Sequence, residues 1–229
     1  MFRIASLTDA PLQSRPWTNC LLLLANVVAF GVQVRHPQVM AHYMLDAHSL
    51  RLSQFLTYAF LHISPGHLIF NMFVLWMLGN NINDRLGHLG YLAFYLAAGV
   101  FAGIGFIAAG GEAMVGASGA IGGVMGAYLA LLPRSNIRLR LRSLAVDSPA
   151  MYFIALFFVY NVMMSFIGEI TVQQVAYEAH IAGMVFGFAV GMTLLWLSLV
   201  PPSDQDFLRL IRQGRGRGWR GLRGSRGGG

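Results

Sequence analysis

Six apolar stretches separated by more polar breaks make up about half of this chain, and a water-soluble domain has no way to bury that many. They cover residues 17–34, 66–80, 88–109, 118–132, 150–167 and 179–200. A helix needs roughly 20 mostly apolar residues to cross the hydrocarbon of a bilayer, fewer where protein shelters it. Only 11% of the residues are charged, against roughly 25% in an ordinary globular chain, so a lipid solvent is the simpler reading. Gly110 and Gly111 close the third stretch, Pro133 stops the fourth, and Pro201 and Pro202 end the sixth, because a proline ring removes a backbone donor. The first stretch lacks the clear small-residue cleavage pattern of a secretory signal. A disulfide framework is excluded by the single cysteine, Cys20. The expected class is an all-α polytopic membrane protein with six spans.

Arginine placement sets the orientation, because short cytoplasmic loops accumulate positive charge. With six spans and both termini on one face, that face holds 14 arginines and the other holds two, Arg35 and Arg51. Both termini are therefore expected in the cytoplasm. Residues 1–16 read as a cytoplasmic segment, 17–200 as the membrane domain, and 201–229 as an Arg/Gly-rich cytoplasmic tail without packed structure. Positive-inside bias and the anionic lipid surface already account for those arginines, so no nucleic-acid partner is expected. The first outer connection, 35–65, is long for a loop. Its Met40, Tyr43, Met44, Leu45, Leu50, Leu52, Phe55, Leu56, Tyr58 and Phe60 suit an amphipathic surface in the outer interface.

Polar groups at membrane depth are expensive and tend to be paired and functional. In the segment GHLIFN, His67 and Asn71 stand four residues apart on one helical face. In GASG, Ser118 sits between glycines at the mouth of the fourth span. In AHIAG, His180 lies near the outer end of the sixth. Gly122 and Gly126 follow Ser118 at i+4 and i+8, with Gly119 and Gly123 alongside, and Gly183, Gly187 and Gly191 follow His180 on its helix. Such smooth stripes let two membrane helices approach closely, which would bring Ser118 and His180 within hydrogen-bond reach. A serine hydroxyl needs a base to become a nucleophile, and a neutral imidazole suits that task near pH 7. No carboxylate is placed to orient His180, since Glu178 lies two residues away on a different face, so a dyad is expected. Oxyanion donors would be the His67 and Asn71 side chains and the Ser118 amide, with Gly116 allowing a tight turn before the serine.

With these motifs the chain resembles the rhomboid intramembrane serine proteases, over about residues 55–195 and through HLIFN, GASGAIGG and AHIAGMVFGFAVG. The resemblance implies the six-helix rhomboid core and hydrolysis of peptide bonds in or near the transmembrane segments of other proteins. On matching positions it implies Ser118 as nucleophile, His180 as base, and His67, Asn71 and the Ser118 amide as oxyanion donors. It further implies that the fourth helix starts beneath the outer surface, under a loop dipping in over 110–117. Three positions depart from the family pattern. Gly122 stands where many relatives carry a tyrosine that packs on the histidine, Asn83 replaces a glutamate between Gly79 and Gly87, and Ser53 and Gln54 replace a Trp-Arg pair.

Two other functions compete with proteolysis. A non-proteolytic rhomboid-like protein would bind membrane clients, but such relatives usually lack the serine or the histidine. A small transporter using buried His67 and His180 predicts inverted repeats, and the halves show no convincing similarity. The expected partners are transmembrane protein substrates and the lipid bilayer, with no cofactor or metal called for. The minimal six-span plan without a further targeting segment points to a bacterial inner membrane.

Overall fold

The computed structural model describes residues 7–141, 144–167 and 175–212. Its helices are α1 (Trp17–Arg35), α2 (Gln38–Tyr43), α3 (Gln54–Thr57), α4 (Pro65–Ala108), α5 (Ser118–Leu131), α6 (Ala150–Ile167) and α7 (Tyr177–Trp196). Two short antiparallel pairs accompany them: β1 (Leu45–Asp46) with β2 (Ala113–Met114), and β3 (Asn136–Leu141) with β4 (Leu144–Pro149). α1, α4, α6 and α7 are long and apolar enough to cross a membrane, while α5 is apolar but shorter. α4 is two helices, 65–86 and 88–108, joined at Gly87, whose φ of 71° lies in the left-handed region open to glycine. The second and third expected spans are its two arms.

Around an apolar core the outward helix faces are apolar as well, unlike those of a soluble protein. α1 turns Thr18, Asn19, Asn26 and Gln33 inward and leaves Leu21, Leu24, Val27, Val28 and Val34 exposed. α6 likewise exposes Leu156, Val159, Met163 and Phe166. Apolar surface this continuous belongs against lipid, and the inward polar groups find partners within the protein. Asn19 is fully buried; its Nδ2 donates to the Leu75 carbonyl at 3.0 Å and to Asn80 Oδ1 at 2.9 Å, and its Oδ1 accepts from the Tyr91 hydroxyl at 2.7 Å. Asn83 accepts from the Asn19 amide at 3.0 Å and so ties α1 to the Gly87 joint.

Three expectations need correction, and the N-terminal segment gains contacts that the sequence did not specify. The arginine-rich loop after α5 is the β3–β4 hairpin, so the fold is not purely helical. Its strand periodicity is written in Asn136-Ile-Arg-Leu-Arg-Leu141, alternating residue by residue. The N-terminal segment is packed from Leu7 onward: Arg138 donates its amide to the Leu7 carbonyl at 2.7 Å, and Asp9 Oδ1 accepts from Ser135 and Asn136. α7 ends at Trp196, before the prolines, because Ser198 turns left-handed (φ 56°) and the Leu199 and Ser198 amides close back on the Leu194 and Leu195 carbonyls. The tail packs on the protein through Asp206, Phe207 and Leu208. Asp206 is buried and accepts from the Ser203 and Arg209 amides, and Phe207 meets Phe188 edge-on at 5.4 Å. The Arg/Gly repeat beyond lies outside the described residues.

The connection 35–65 is built structure, not only an amphipathic surface. Leu45 and Tyr58 are buried, with the Tyr58 hydroxyl donating to the Gly99 carbonyl at 2.7 Å, whereas Leu50, Leu52 and Leu56 stay exposed. Gln54 is buried too and caps its own turn by accepting from the Arg51 amide at 3.0 Å. Pairing of β1 with β2, together with the Gly116 amide donating to the Tyr58 carbonyl at 3.0 Å, fastens this connection to the loop before α5.

Candidate active site

α5 and α7 pack backbone to backbone. A Cβ on Gly187 would lie 2.8 Å from the Gly123 Cα, one on Gly183 3.2 Å from the Gly119 carbonyl carbon, and one on Gly122 2.9 Å from the His180 carbonyl. A Cβ on Gly119 would lie 2.7 Å from the Ala102 methyl, so α4 closes on the same glycine face. Side chains larger than hydrogen are thus excluded along the seam by space alone. The seam brings Ser118, the first residue of α5, against His180 in the first turn of α7. Ser118 Oγ and His180 Nε2 are 2.8 Å apart, and His180 is 9% exposed.

The neighbouring groups come from the start of α4. Ser64 caps that helix by accepting from the His67 amide at 3.1 Å, and Pro65 occupies its first turn. His67 is thereby fixed one turn before Asn71, whose Nδ2 donates to the His67 carbonyl at 2.9 Å and keeps a second N–H. His67, Asn71, Ser118 and His180 all line one cavity of about 840 Å³. The Ser118 amide lies in the first helical turn, where N–H groups have no partner within the helix. Gly116 has φ 127°, and a Cβ there would stand 2.7 Å from His67 Cε1 and 3.7 Å from Ser118 Oγ. Glycine is required on both counts.

Four residues not singled out from the sequence complete the surroundings. Asn161 of α6 is 1% exposed and its Oδ1 lies 2.7 Å from His180 Nδ1. Phe157 and Tyr177 flank the same ring at centroid distances of 5.9 and 6.5 Å, so the imidazole is held without a tyrosine at position 122. His62, in the turn before α4, is fully buried, meets the His67 ring edge-on at 5.1 Å, and among the described residues has no hydrogen-bond partner for either ring nitrogen. Burial, reinforced by His67, holds its pKa down at about 4. Asn161 was open to the same membrane-depth reasoning that picks out Asn71, being a lone amide in an apolar run.

A hydroxyl against an imidazole, beside an amide, a second imidazole and the unpartnered end of a helix, is an arrangement suited to acyl transfer. Comparison with known proteins agrees. Residues 49–197 match the family model described as the Rhomboid domain, and the chain belongs to the rhomboid family, whose members are integral to the membrane. It is 33% identical over 141 residues to the rhomboid protease GluP of Bacillus subtilis, covering 61% of this chain and 25% of that one. It is 28% identical over 138 residues to the rhomboid protease GlpG of Yersinia pestis, covering 60% and 46%. With the rhomboid-like protease 2 of Toxoplasma gondii it shares 32% over 158 residues, covering 67% and 52%. The chain thus spans from a quarter to about half of the length of these relatives.

Proposed function

We propose that this protein is an intramembrane serine endopeptidase that cleaves single-span membrane proteins within or beside their transmembrane segments, using Ser118 and His180. The observation that carries the reading is the 2.8 Å contact of Ser118 Oγ with His180 Nε2 across the glycine seam. His180 Nε2 takes the hydroxyl proton as Oγ attacks the scissile carbonyl carbon, and the carbonyl oxygen becomes an oxyanion. The Ser118 amide and the His67 and Asn71 side chains donate to that oxygen, each good donor being worth about 3 kcal/mol. Imidazolium then protonates the leaving amine as the C–N bond breaks. Water deprotonated by His180 attacks the acyl-serine, returning hydroxyl and free acid.

A helix in lipid hides its carbonyls in intrachain bonds, so the scissile stretch of the substrate must unwind. Helix-weakening residues in it therefore favour cleavage. The proposed topology has six spans, both termini cytoplasmic, in a bacterial inner membrane. At 44 residues, α4 is about 66 Å of helix, twice the roughly 30 Å of hydrocarbon, and its joint at Gly87 supports reading it as two crossings. α5, at 14 residues, is sheltered by the protein on nearly every side.

Labelling with a fluorescent fluorophosphonate tests the chemistry. Wild type should label at Ser118, and Ser118→Ala and His180→Ala should not, with cleavage of a single-span reporter lost in both. A folded wild type that neither labels nor cleaves would overturn the reading in favour of client binding.

A further inference from the structure

We propose that Asn161 is a positioning residue for His180, fixing the imidazole with its proton on Nδ1 and its lone pair on Nε2. This rests on the Ser118–His180 reading above. The donor and acceptor assignment is forced from the α6 end. Asn161 Nδ2 donates to the Phe157 carbonyl at 2.7 Å, so the amide nitrogen points back along its own helix and Oδ1 faces His180 Nδ1 at 2.7 Å. Flipping the amide would set its oxygen against the Phe157 carbonyl oxygen, two acceptors at hydrogen-bond distance, and is excluded. A carbonyl oxygen only accepts, so Nδ1 must carry hydrogen.

A neutral imidazole has a single N–H, and Nε2 is left as the acceptor facing Ser118 Oγ at 2.8 Å. Proton direction thus runs one way, from the serine hydroxyl to His180 and from His180 to Asn161. The opposite tautomer would point N–H at the serine and leave two acceptors facing each other across 2.7 Å. Asn161 is 1% exposed, so water does not compete for its oxygen. With glycine at position 122, the hydrogen bond supplies the orientation that a ring stacked from α5 would otherwise give.

The test uses the full chain in detergent micelles, with a fluorescent fluorophosphonate as probe and its inactivation rate constant and apparent binding constant measured separately. Asn161→Leu keeps the volume and removes the acceptor. It should slow inactivation roughly 10- to 100-fold, less than the loss of the base itself, with the binding constant within about threefold. Asn161→Asp, protonated at this buried position, keeps an O–H for the Phe157 carbonyl and an acceptor for Nδ1, and should return the rate to within about fivefold of wild type. Nitrogen-15 NMR of labelled histidines, with the His180 signals assigned by their loss in His180→Ala, should show Nδ1 protonated and Nε2 bare in wild type, and mixed tautomers in Asn161→Leu. A residue that merely packs would leave that signature alone. Wild-type inactivation of Asn161→Leu, an Asn161→Asp as slow as Asn161→Leu while folded, or a bare Nδ1 in wild type would each overturn the proposal. Failure of wild type to label at all would sink the serine reading instead, and the wild-type tautomer would still decide the role of Asn161.

Discussion

Replacing Gly187 with alanine should move His180 without touching it. Gly187 lies seven residues beyond His180, about 10.5 Å along α7, and faces Gly123 of α5. The added Cβ would sit 2.8 Å from the Gly123 Cα and 2.6 Å from its carbonyl carbon. Ordinary contact begins near 3.5 Å, so the two helices must separate by about 1 Å, and backbone on both sides leaves no flexible side chain to yield. A displacement of that size stretches the 2.8 Å Ser118–His180 contact beyond hydrogen-bond range. Misplacement by 1 Å can cost about 100-fold in rate, and overpacking about 1–3 kcal/mol in stability. Gly31→Ala is the matched control, since nothing lies within 4 Å of a Cβ there. Fluorophosphonate labelling rates and thermal unfolding in one detergent would be compared. Gly187→Ala should label about 100-fold more slowly and unfold earlier, and Gly31→Ala should do neither. A Gly187→Ala protein with wild-type labelling and stability would refute the claim that the glycine seam sets the site.

Gly116→Ala should slow labelling by a similar factor with a smaller loss of stability. Its Cβ would meet His67 at 2.7 Å and its φ of 127° suits only glycine; unaltered labelling would show that the His67 ring has room to move. Acid should destabilise the fold through His62. Its folded pKa near 4 lies below the unfolded value near 6.5, so its contribution is fully present above pH 6.5 and lost as pH falls toward 4. The loss amounts to about 3 kcal/mol. Thermal unfolding from pH 7.5 to 4 should show the decline, and His62→Phe should flatten it; parallel profiles for the two proteins would count against the assignment.

The elements legible in the sequence were those whose signal is local. Gly119, Gly123, Gly183 and Gly187 announce a close helix pair by spacing alone, and Ser118 and His180 lie on it. The structure pairs those stripes along the α5–α7 seam. Glycine and proline breaks placed the ends of the third and fourth apolar runs to within one residue, whereas the Ser198 turn ended α7 early. What stayed hidden depends on partners distant in sequence. Asn161 belongs to the site only because α6 lies against α7, and no spacing within α6 reports that. Asn19 reads as one polar residue in a span until Leu75, Asn80, Asn83 and Tyr91 gather around it. β1 and β2 are two residues each and meet across more than 60 positions of chain, too short for a local pattern to reveal.

Holding the proposed Ser118–His180 pair in register within a membrane protein raises a difficulty that the fold answers through its choice of contacts. Hydrophobic burial gives little attraction between helices in hydrocarbon, so precision has to come from close approach and from polar bonds. The pair Ser118 and His180 is set by the first means, through backbone meeting backbone along Gly119–Gly183 and Gly123–Gly187. Its surroundings are set by the second, through Ser64 capping α4, Asn71 bonding the His67 carbonyl, and Asn161 bonding His180. The first kind of contact tolerates almost no substitution, whereas the second tolerates a residue that keeps the same donor or acceptor in the same place. Positions along the glycine seam should therefore fail on the addition of a single methyl group, while position 161 should accept aspartate and reject leucine.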